Sequence, residues 1–532
     1  MTTTEFGIVY AVHIITSHFG SVASKVCECL LRRGPLSSRE ISRLAESDIN
    51  HSKVKDILYL LIQHNCVQAF SIEPPDGSES KAIVQYIALF SNILHRARYN
   101  KFSSKVVNEE LGSQCSGVLD GLLSNGRLTL EQLIDRDRDS KKQMGSEAIR
   151  DSLQKLVAAR FVERVPSPEP VLGNKDEGPA QKKRGAKPSK IFKEPESLEE
   201  RILEAATPVD AIRFPFIFEQ GSSSTVADDD SNISEGKRKQ PEVDYTSGPS
   251  NEVIWRPNFE ELIRRLRHKA CVEIVKERRD EGCANVMKAM LEVGRSQEKK
   301  AKTDKSVRTP IFFSVPMSMG SIYEELIKTD AGREMTQERV EACLEQLSAT
   351  SSYLPAFVIE SDGSYIVDFK SIISVAQKDE MESVVMRRYG KEAFRMFRYL
   401  SQEDRFVETD KIADAALTEK KDTPQILLKM WKDGYLHMQK LAVTGVYIPF
   451  LLWKVNKLIV SRQMLDEMYH ASLNLSLRLT HETDSEKELL LLPMEKLEGA
   501  LKERRNKYRA KSVLLTSARF KLDDAIMLFH DF

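Results

Sequence analysis

The chain lacks several features that would assign it to a familiar class. Its seven cysteines (Cys27, Cys29, Cys66, Cys115, Cys271, Cys283 and Cys343) include no CxxC pair. An odd, scattered set offers no disulfide framework and points to reduced, intracellular thiols. Cys27 and Cys29 have no histidine pair at ligand spacing, so no metal site is expected. No apolar run is long enough to cross a bilayer, so no membrane partner is expected. The first residues show neither a basic leader nor a small-residue cleavage site, and a soluble, non-secreted protein is expected. An excess of charge of one sign is missing too. Lys and Arg total 79 against 79 Asp and Glu, with a pI near 7.1, which argues against a purely basic grip on nucleic acid. DNA contacts would have to come from local patches or from partners. There is no P-loop, GxGxxG, HExxH or nucleophile elbow. The ten histidines are dispersed, and acidic stretches lie on the outer faces of helices, so no acid–base pair stands out. No catalytic residue and no cofactor are expected.

The 532 residues are enough for about three or four domains. At 41% hydrophobic and 30% charged, the chain can bury real cores beneath a charge-rich, helical surface. Its organising stretch runs from Leu36 to Phe70. Ser37 and Ser38 can cap a helix start, with Glu40 placed to reach back. Ile41 and Leu44 share one face of a short helix. Val54, Ile57, Leu58, Leu61 and Ile62 stripe a longer one, which Asn65 can end in a left-handed conformation. Cys66–Ile72 and Ala82–Ile87 then read as a hairpin around the turn Glu73-Pro74-Pro75-Asp76-Gly77-Ser78. Helix, turn, longer helix and hairpin make a winged helix, whose second helix can enter a major groove.

The same grammar returns. Leu128–Ile134 reads as a second short helix, followed by the stripe Ile149, Leu153, Leu156 and Val157 and a strand from Phe161. Ser321–Ile327, then Val340, Leu344 and Leu347, then a hairpin turning at Asp362-Gly363, make a third copy. Thr409–Leu417, then Thr423-Pro424 opening the next helix, make a fourth. Beyond Val455 the pattern is helical, with two leucine-rich segments that form a hairpin or short coiled coil suited to protein docking. The expected fold is mainly α with small β wings: four tandem winged helices (1–102, 103–165, 251–378 and 379–455) and a C-terminal hairpin (456–532). Residues 166–250 read as a flexible linker. It holds basic clusters at Gln181–Arg184 and Lys237–Lys239, an acidic one at Asp228–Asp230, and an apolar island at Ala211–Phe218 expected to dock on a neighbour. The basic clusters suit either a nuclear import signal or a plain solvated linker.

An ordered set of segments carries a resemblance. They are Ser17-His18-Phe19-Gly20, Leu30-Leu31-Arg32-Arg33-Gly34, Val54 to Asn65, Ile254-Trp255-Arg256-Pro257-Asn258-Phe259, Arg388-Tyr389-Gly390 and Phe394-Arg395-Met396-Phe397-Arg398. With them the chain resembles the third-largest subunit of DNA-directed RNA polymerase III, itself similar in architecture to the large subunit of the general factor TFIIE. The resemblance implies a nuclear, non-catalytic role in promoter recruitment and DNA opening at tRNA, 5S rRNA and other small RNA genes. It implies as partners the two other subunits of an initiation heterotrimer, the polymerase clamp, the initiation factors and promoter DNA.

Within that frame the DNA-contact candidates lie on the outer faces of the modules: Lys53, Lys55, Arg150, Lys155, Arg387, Arg388, Lys429 and Lys432. The partner-docking candidates are Trp255, Asn258, Phe259, Leu497 and Leu501, with Trp255 equally able to stabilise its own module. Two other classes stay open. A free-standing winged-helix regulator would show salt-sensitive, sequence-selective DNA binding by the isolated chain, which neutral charge disfavours. An adaptor of another large complex would bring a different partner set.

Overall fold

The computed structural model describes residues 3–45, 50–72, 83–139, 144–165, 170–172, 198–207, 213–214, 253–301, 314–351, 354–441, 450–493 and 499–532. They form two compact units. One spans Ile14–Leu262, and the other joins Met1–His13 to Ile263–Phe532.

Four winged helices are present among the described residues. In the first, helices Glu5–Phe19 and Ser21–Arg33 precede the short helix Ser38–Leu44 and the recognition helix His51–Gln63. Strands β1 (Val67–Ile72) and β2 (Ile83–Ala88) then pair antiparallel, and Leu36 bridges to Tyr86 on the outer edge of β2. The capping box forms as the spacing requires. The Ser37 amide donates to Glu40 Oε2 at 2.7 Å, and the Glu40 amide returns to Ser37 Oγ at 3.4 Å. Ser37→Ala is therefore expected to cost about 1 kcal/mol locally. Hydrogen exchange at Ser38–Leu44 should speed up severalfold, with the recognition helix unaffected. The proposed wing turn at 73–78 lies outside the described residues.

The other three sheets share one strand order, with the last strand in the middle. They are β3 (Leu128–Thr129), β6 (Ile254–Pro257) and β4 (Val162–Arg164); β7 (Met317–Ser318), β9 (Ser364–Val367) and β8 (Val358–Ser361); and β10 (Val407–Glu408), β12 (Phe450–Lys454) and β11 (His437–Leu441). Recognition helices Ser146–Ala158, Gln337–Ser348 and Thr423–Lys432 lead into them.

The repeat is legible in backbone angles. Gly20, Gly112 and Gly390 each break a long helical path ahead of a module, with φ/ψ of 87/173, 88/175 and 88/−176°. Positive φ at these breaks favours glycine. In the first, second and fourth modules the recognition helix ends on a left-handed residue: Asn65, Arg160 and Gly434. The next amide donates back five residues, Cys66 to Leu61, Phe161 to Leu156 and Tyr435 to Met430, at 2.8–2.9 Å. This is one helix-stop motif used three times. In the third module Asp362 and Gly363, both at positive φ, close the tight hairpin.

Three expectations change. First, β6 lies across the supposed linker, yet it is the central strand of the second module, pairing Trp255 with both Leu128 and Arg164. The second module therefore does not end at 165, and the stretch from 166 to 253 is an insertion in its wing. Second, parts of that insertion are ordered. Strand β5 (Val171–Leu172) adds parallel to β1, and helix Leu198–Ala206 buries Ile202 against Phe70, Ile87, Leu89 and Leu172. The clusters at 181–184, 228–230 and 237–239 lie outside the described residues. Third, the helical path from Phe90–His95 continues through Tyr99–Lys101 and a π segment, Phe102–Val107, to Asn108–Leu111. It runs across the expected boundary at 102/103.

At the C-terminus, helices Lys457–Ser485 and Gly499–His530 pack side by side. Val460, Met464, Met468, Tyr469 and Leu473 are buried on the first, and Ile526, Met527 and Phe529 on the second. On the same first helix Leu458 and Leu477 are 83% and 48% exposed. The start of the chain packs on this hairpin: Phe6 stacks on His470 at 4.2 Å, and its amide donates to Asp466 Oδ1 at 3.0 Å.

Candidate nucleic-acid and partner interface

A recognition helix can bind only with the face its own core leaves free. In the first module Val54, Leu58 and Leu61 turn inward, while Lys53, Lys55, Asp56 and Tyr59 are exposed. In the second Ile149, Leu153, Leu156 and Val157 are buried, and Glu147, Arg150, Asp151, Gln154 and Lys155 face outward, two acids among two cations. In the third the outer face is acidic. Glu338, Glu341 and Glu345 are exposed there, and Arg339 is held by Asp280 at 2.5 Å. That face would repel phosphates. In the fourth, Leu427 and Met430 are buried, and Leu428, Lys429, Trp431 and Lys432 face out.

Trp431 and Leu428 were not singled out from the sequence. They sit three residues apart, one step off the buried stripe, and both are 42% exposed. The left-handed Leu417, in the turn just before, is 84% exposed. Trp431 lies between Lys429 and Lys432 along this outer face.

The other candidates separate. Arg388 is no free cation. Its guanidinium donates to both carboxylate oxygens of Glu467 at 3.1 and 3.0 Å and lies 3.7 Å from Asp433. Through one nitrogen, Nη1, shared between both oxygens, it ties helix Phe369–Tyr389 to helix Lys457–Ser485. Arg387 pairs with Glu380 at 3.3 Å and stays largely exposed. Lys429 lies 5.8 Å above the ring of Tyr389, whose hydroxyl donates to Asp433 at 2.6 Å.

The docking residues Trp255, Asn258 and Phe259 are only 4%, 5% and 8% exposed, so they are not presented to a partner. Each closes the second module. Trp255 sits in the central strand. Asn258 donates through Nδ2 to the Arg160 carbonyl at 2.9 Å, satisfying the helix stop. Phe259 stacks on Tyr99 at 6.1 Å and meets Phe102 and His95. Of the hairpin candidates, Leu501 is 42% exposed, and Leu497 lies outside the described residues.

Buried polar groups elsewhere are structural. Burial, with Arg96 and His18 nearby, pulls His64 down to about 4, so this ring is neutral within the first module. Asp280, Cys283 and Cys343 come together in the third module. Asp280 accepts the Cys283 amide at 2.6 Å and pairs with Arg339, while the Cys283 thiol meets Gln346 at 3.3 Å. Burial pushes both thiols up.

Three family models cover this arrangement: the RNA polymerase III subunit RPC82 helix-turn-helix domain over residues 9–71, RNA polymerase III subunit RPC82 over 151–376, and the POLR3C C-terminal winged-helix domain over 381–455. The chain belongs to the RPC3 family of RNA polymerase III subunits. The DNA-directed RNA polymerase III subunit RPC3 of Homo sapiens is 24% identical over 495 residues, covering 90% of this chain and 84% of that one. The Bos taurus and Danio rerio subunits are 23% and 21% identical with the same coverage. The RPC82 model over 151–376 spans the inserted wing, β6 and the third module together. It therefore runs through the boundary at 250 that the composition of the chain suggested.

Proposed function

We propose that this RPC3-family chain is a non-catalytic nuclear subunit of RNA polymerase III, acting in promoter recruitment and DNA opening for synthesis of tRNA, 5S rRNA and other small RNAs. Its partners are the other polymerase III subunits, above all the two others of the initiation heterotrimer and the clamp, together with initiation factors and promoter DNA. The observation that carries this reading is the unequal dressing of four copies of one binding fold. The outer recognition faces of the first, second and fourth modules hold lysine or arginine, and that of the third holds acid. Such a chain can lie along DNA with some modules while others face protein.

Two experiments test the reading. Mass spectrometry of proteins retained with the tagged chain from nuclear extract should recover the two largest polymerase III subunits in near-stoichiometric amounts. Recovery of the chain alone, or with unrelated proteins, would overturn it. For the DNA contact, Lys53→Glu with Lys55→Glu should weaken promoter binding by the assembled polymerase uniformly across sequences. It should also lower the salt slope of binding by about two, since each lost phosphate contact removes about one. An unchanged slope would remove these two lysines from the DNA contact.

A further inference from the structure

The basic helix at the distal end of the C-terminal hairpin has more charge than the hairpin uses. Helix Gly499–His530 begins with Lys502, Arg504, Arg505, Lys507, Arg509 and Lys511 against a single acid, Glu503. Two of these cations face the neighbouring helices: Arg504 pairs with Glu486 at 2.8 Å and Lys511 with Glu482 at 3.2 Å. Lys502, Lys507 and Arg509 are exposed and form no ion pair among the described residues.

Helical spacing places these residues. Lys502, Arg509 and Val513 fall on one stripe, at intervals of seven and four; Lys507 and Leu514, seven apart, fall on another. Between the stripes lie Ala510 and Ser517, small enough for another backbone to approach, with Asn506 and Glu503 beside the cations at the start; all four are exposed. Tyr508, whose hydroxyl meets Thr483 at 3.1 Å, marks the opposite, inward side. Val513 is 62% exposed and Leu514 71%. The outward face is thus a shallow trough, cationic at its start and apolar-walled a turn or two later.

We propose that this trough seats an acidic amphipathic helix of another protein chain in the polymerase, which packs as a third helix on the hairpin. Its carboxylates meet Lys502, Lys507 and Arg509, and its apolar side chains cover Val513 and Leu514. Charge complementarity and the apolar pair argue together. Phosphates would neutralise the cations and leave valine and leucine in water, so nucleic acid fits only half of the face. The proposal rests on the reading of the chain as a polymerase III subunit.

The test uses the full tagged chain within purified polymerase. A carbodiimide, which joins amines to carboxylates without a spacer, should link Lys502 or Lys507 to Asp or Glu residues of one segment in another subunit. Lys507→Glu with Arg509→Glu should lower salt-resistant retention of that subunit about tenfold, and reversing the linked acids to lysine should restore it. Val513→Gln with Leu514→Gln should lower retention without altering charge. Three results would overturn the proposal with the subunit reading intact: links confined to this chain, no rescue by charge reversal, or loss of the contact on nuclease treatment. If the wild-type chain does not co-purify with polymerase at all, the subunit reading fails and this proposal falls with it.

Discussion

Gly126→Ala is expected to open the joint between the first two modules. Gly126 sits at φ 81°, in the left-handed region, and a Cβ there would lie 2.0 Å from the Gln63 carbonyl oxygen at the end of the first recognition helix. The obstacle is backbone, so no rotamer change relieves it. Around it the joint is stitched by hydrogen bonds. The Arg127 amide donates to the Gln63 carbonyl at 3.1 Å, Gln63 Nε2 to the Asn125 carbonyl at 3.3 Å, and Arg127 Nε to Asn65 Oδ1 at 3.0 Å. Arg127 is deeply placed, with its guanidinium drawn down to about 10 by burial and by Arg256. A methyl group at 126 displaces Gln63 and breaks this set at once. We expect a loss of about 3–5 kcal/mol, from left-handed strain of about 1–2 kcal/mol plus the broken bonds. Hydrogen exchange should show the ends of helices His51–Gln63 and Ser113–Asn125 losing protection together. Gly117→Ala is the control. That glycine is helical with nothing within 4 Å of its added Cβ, so the change should stabilise by about 0.5–1 kcal/mol. Equal behaviour of the two variants would show that the joint is not held at Gly126.

Glu163→Ala should be comparably damaging for a different reason. Glu163 is 3% exposed in strand β4. Its two oxygens accept from Arg256 Nε at 2.7 Å, across the ladder on β6, and from Arg213 in the wing insertion. Both guanidinium groups are nearly enclosed, at 14% and 12% side-chain exposure. Removing the carboxylate takes from Arg256 its ion-pair partner, while Arg213 keeps Glu260 at 3.5 Å, and breaking such a buried pair costs about 3–5 kcal/mol. Exchange should rise first at Val162–Arg164 and Ile254–Pro257. Combining Glu163→Gln with Arg256→Met should recover much of the loss, because the cation left without its partner is gone and the new amide oxygen at 163 can still accept from Arg213. If the single and double variants are equally unstable, packing rather than charge governs this strand pair.

What could be read from the sequence was local. The Ser37 cap, the left-handed Asn65 and the Asp362-Gly363 turn all depend on a few neighbouring residues, and they form where the spacing placed them. What escaped was set by distant partners. Trp255 could be read as a docking anchor or as a stabiliser of its own module, and only its pairing with distant Leu128 and Arg164 decides for the second. Arg388 looked like a DNA contact because Glu467, which holds it, sits on another helix. Leu428 and Trp431 escaped because a run of apolar residues does not declare which member faces outward until the stripe of Leu427 and Met430 is fixed. In the candidate interface, exposure of Lys53, Lys55, Lys155, Lys429 and Lys432 followed from helical period alone.

The central position of β6 also has a consequence in time. Strands β3 and β4 leave the ribosome well before their shared partner. At about 5–20 residues per second, the roughly ninety residues from Arg164 to Trp255 take some 5–20 s to make. For that interval the nascent second module carries two unpaired strand edges and an unfilled core at the place of Trp255 and Phe259. It must wait, exposed, for the far end of its own wing. A pause in translation between 166 and 253 would lengthen the wait.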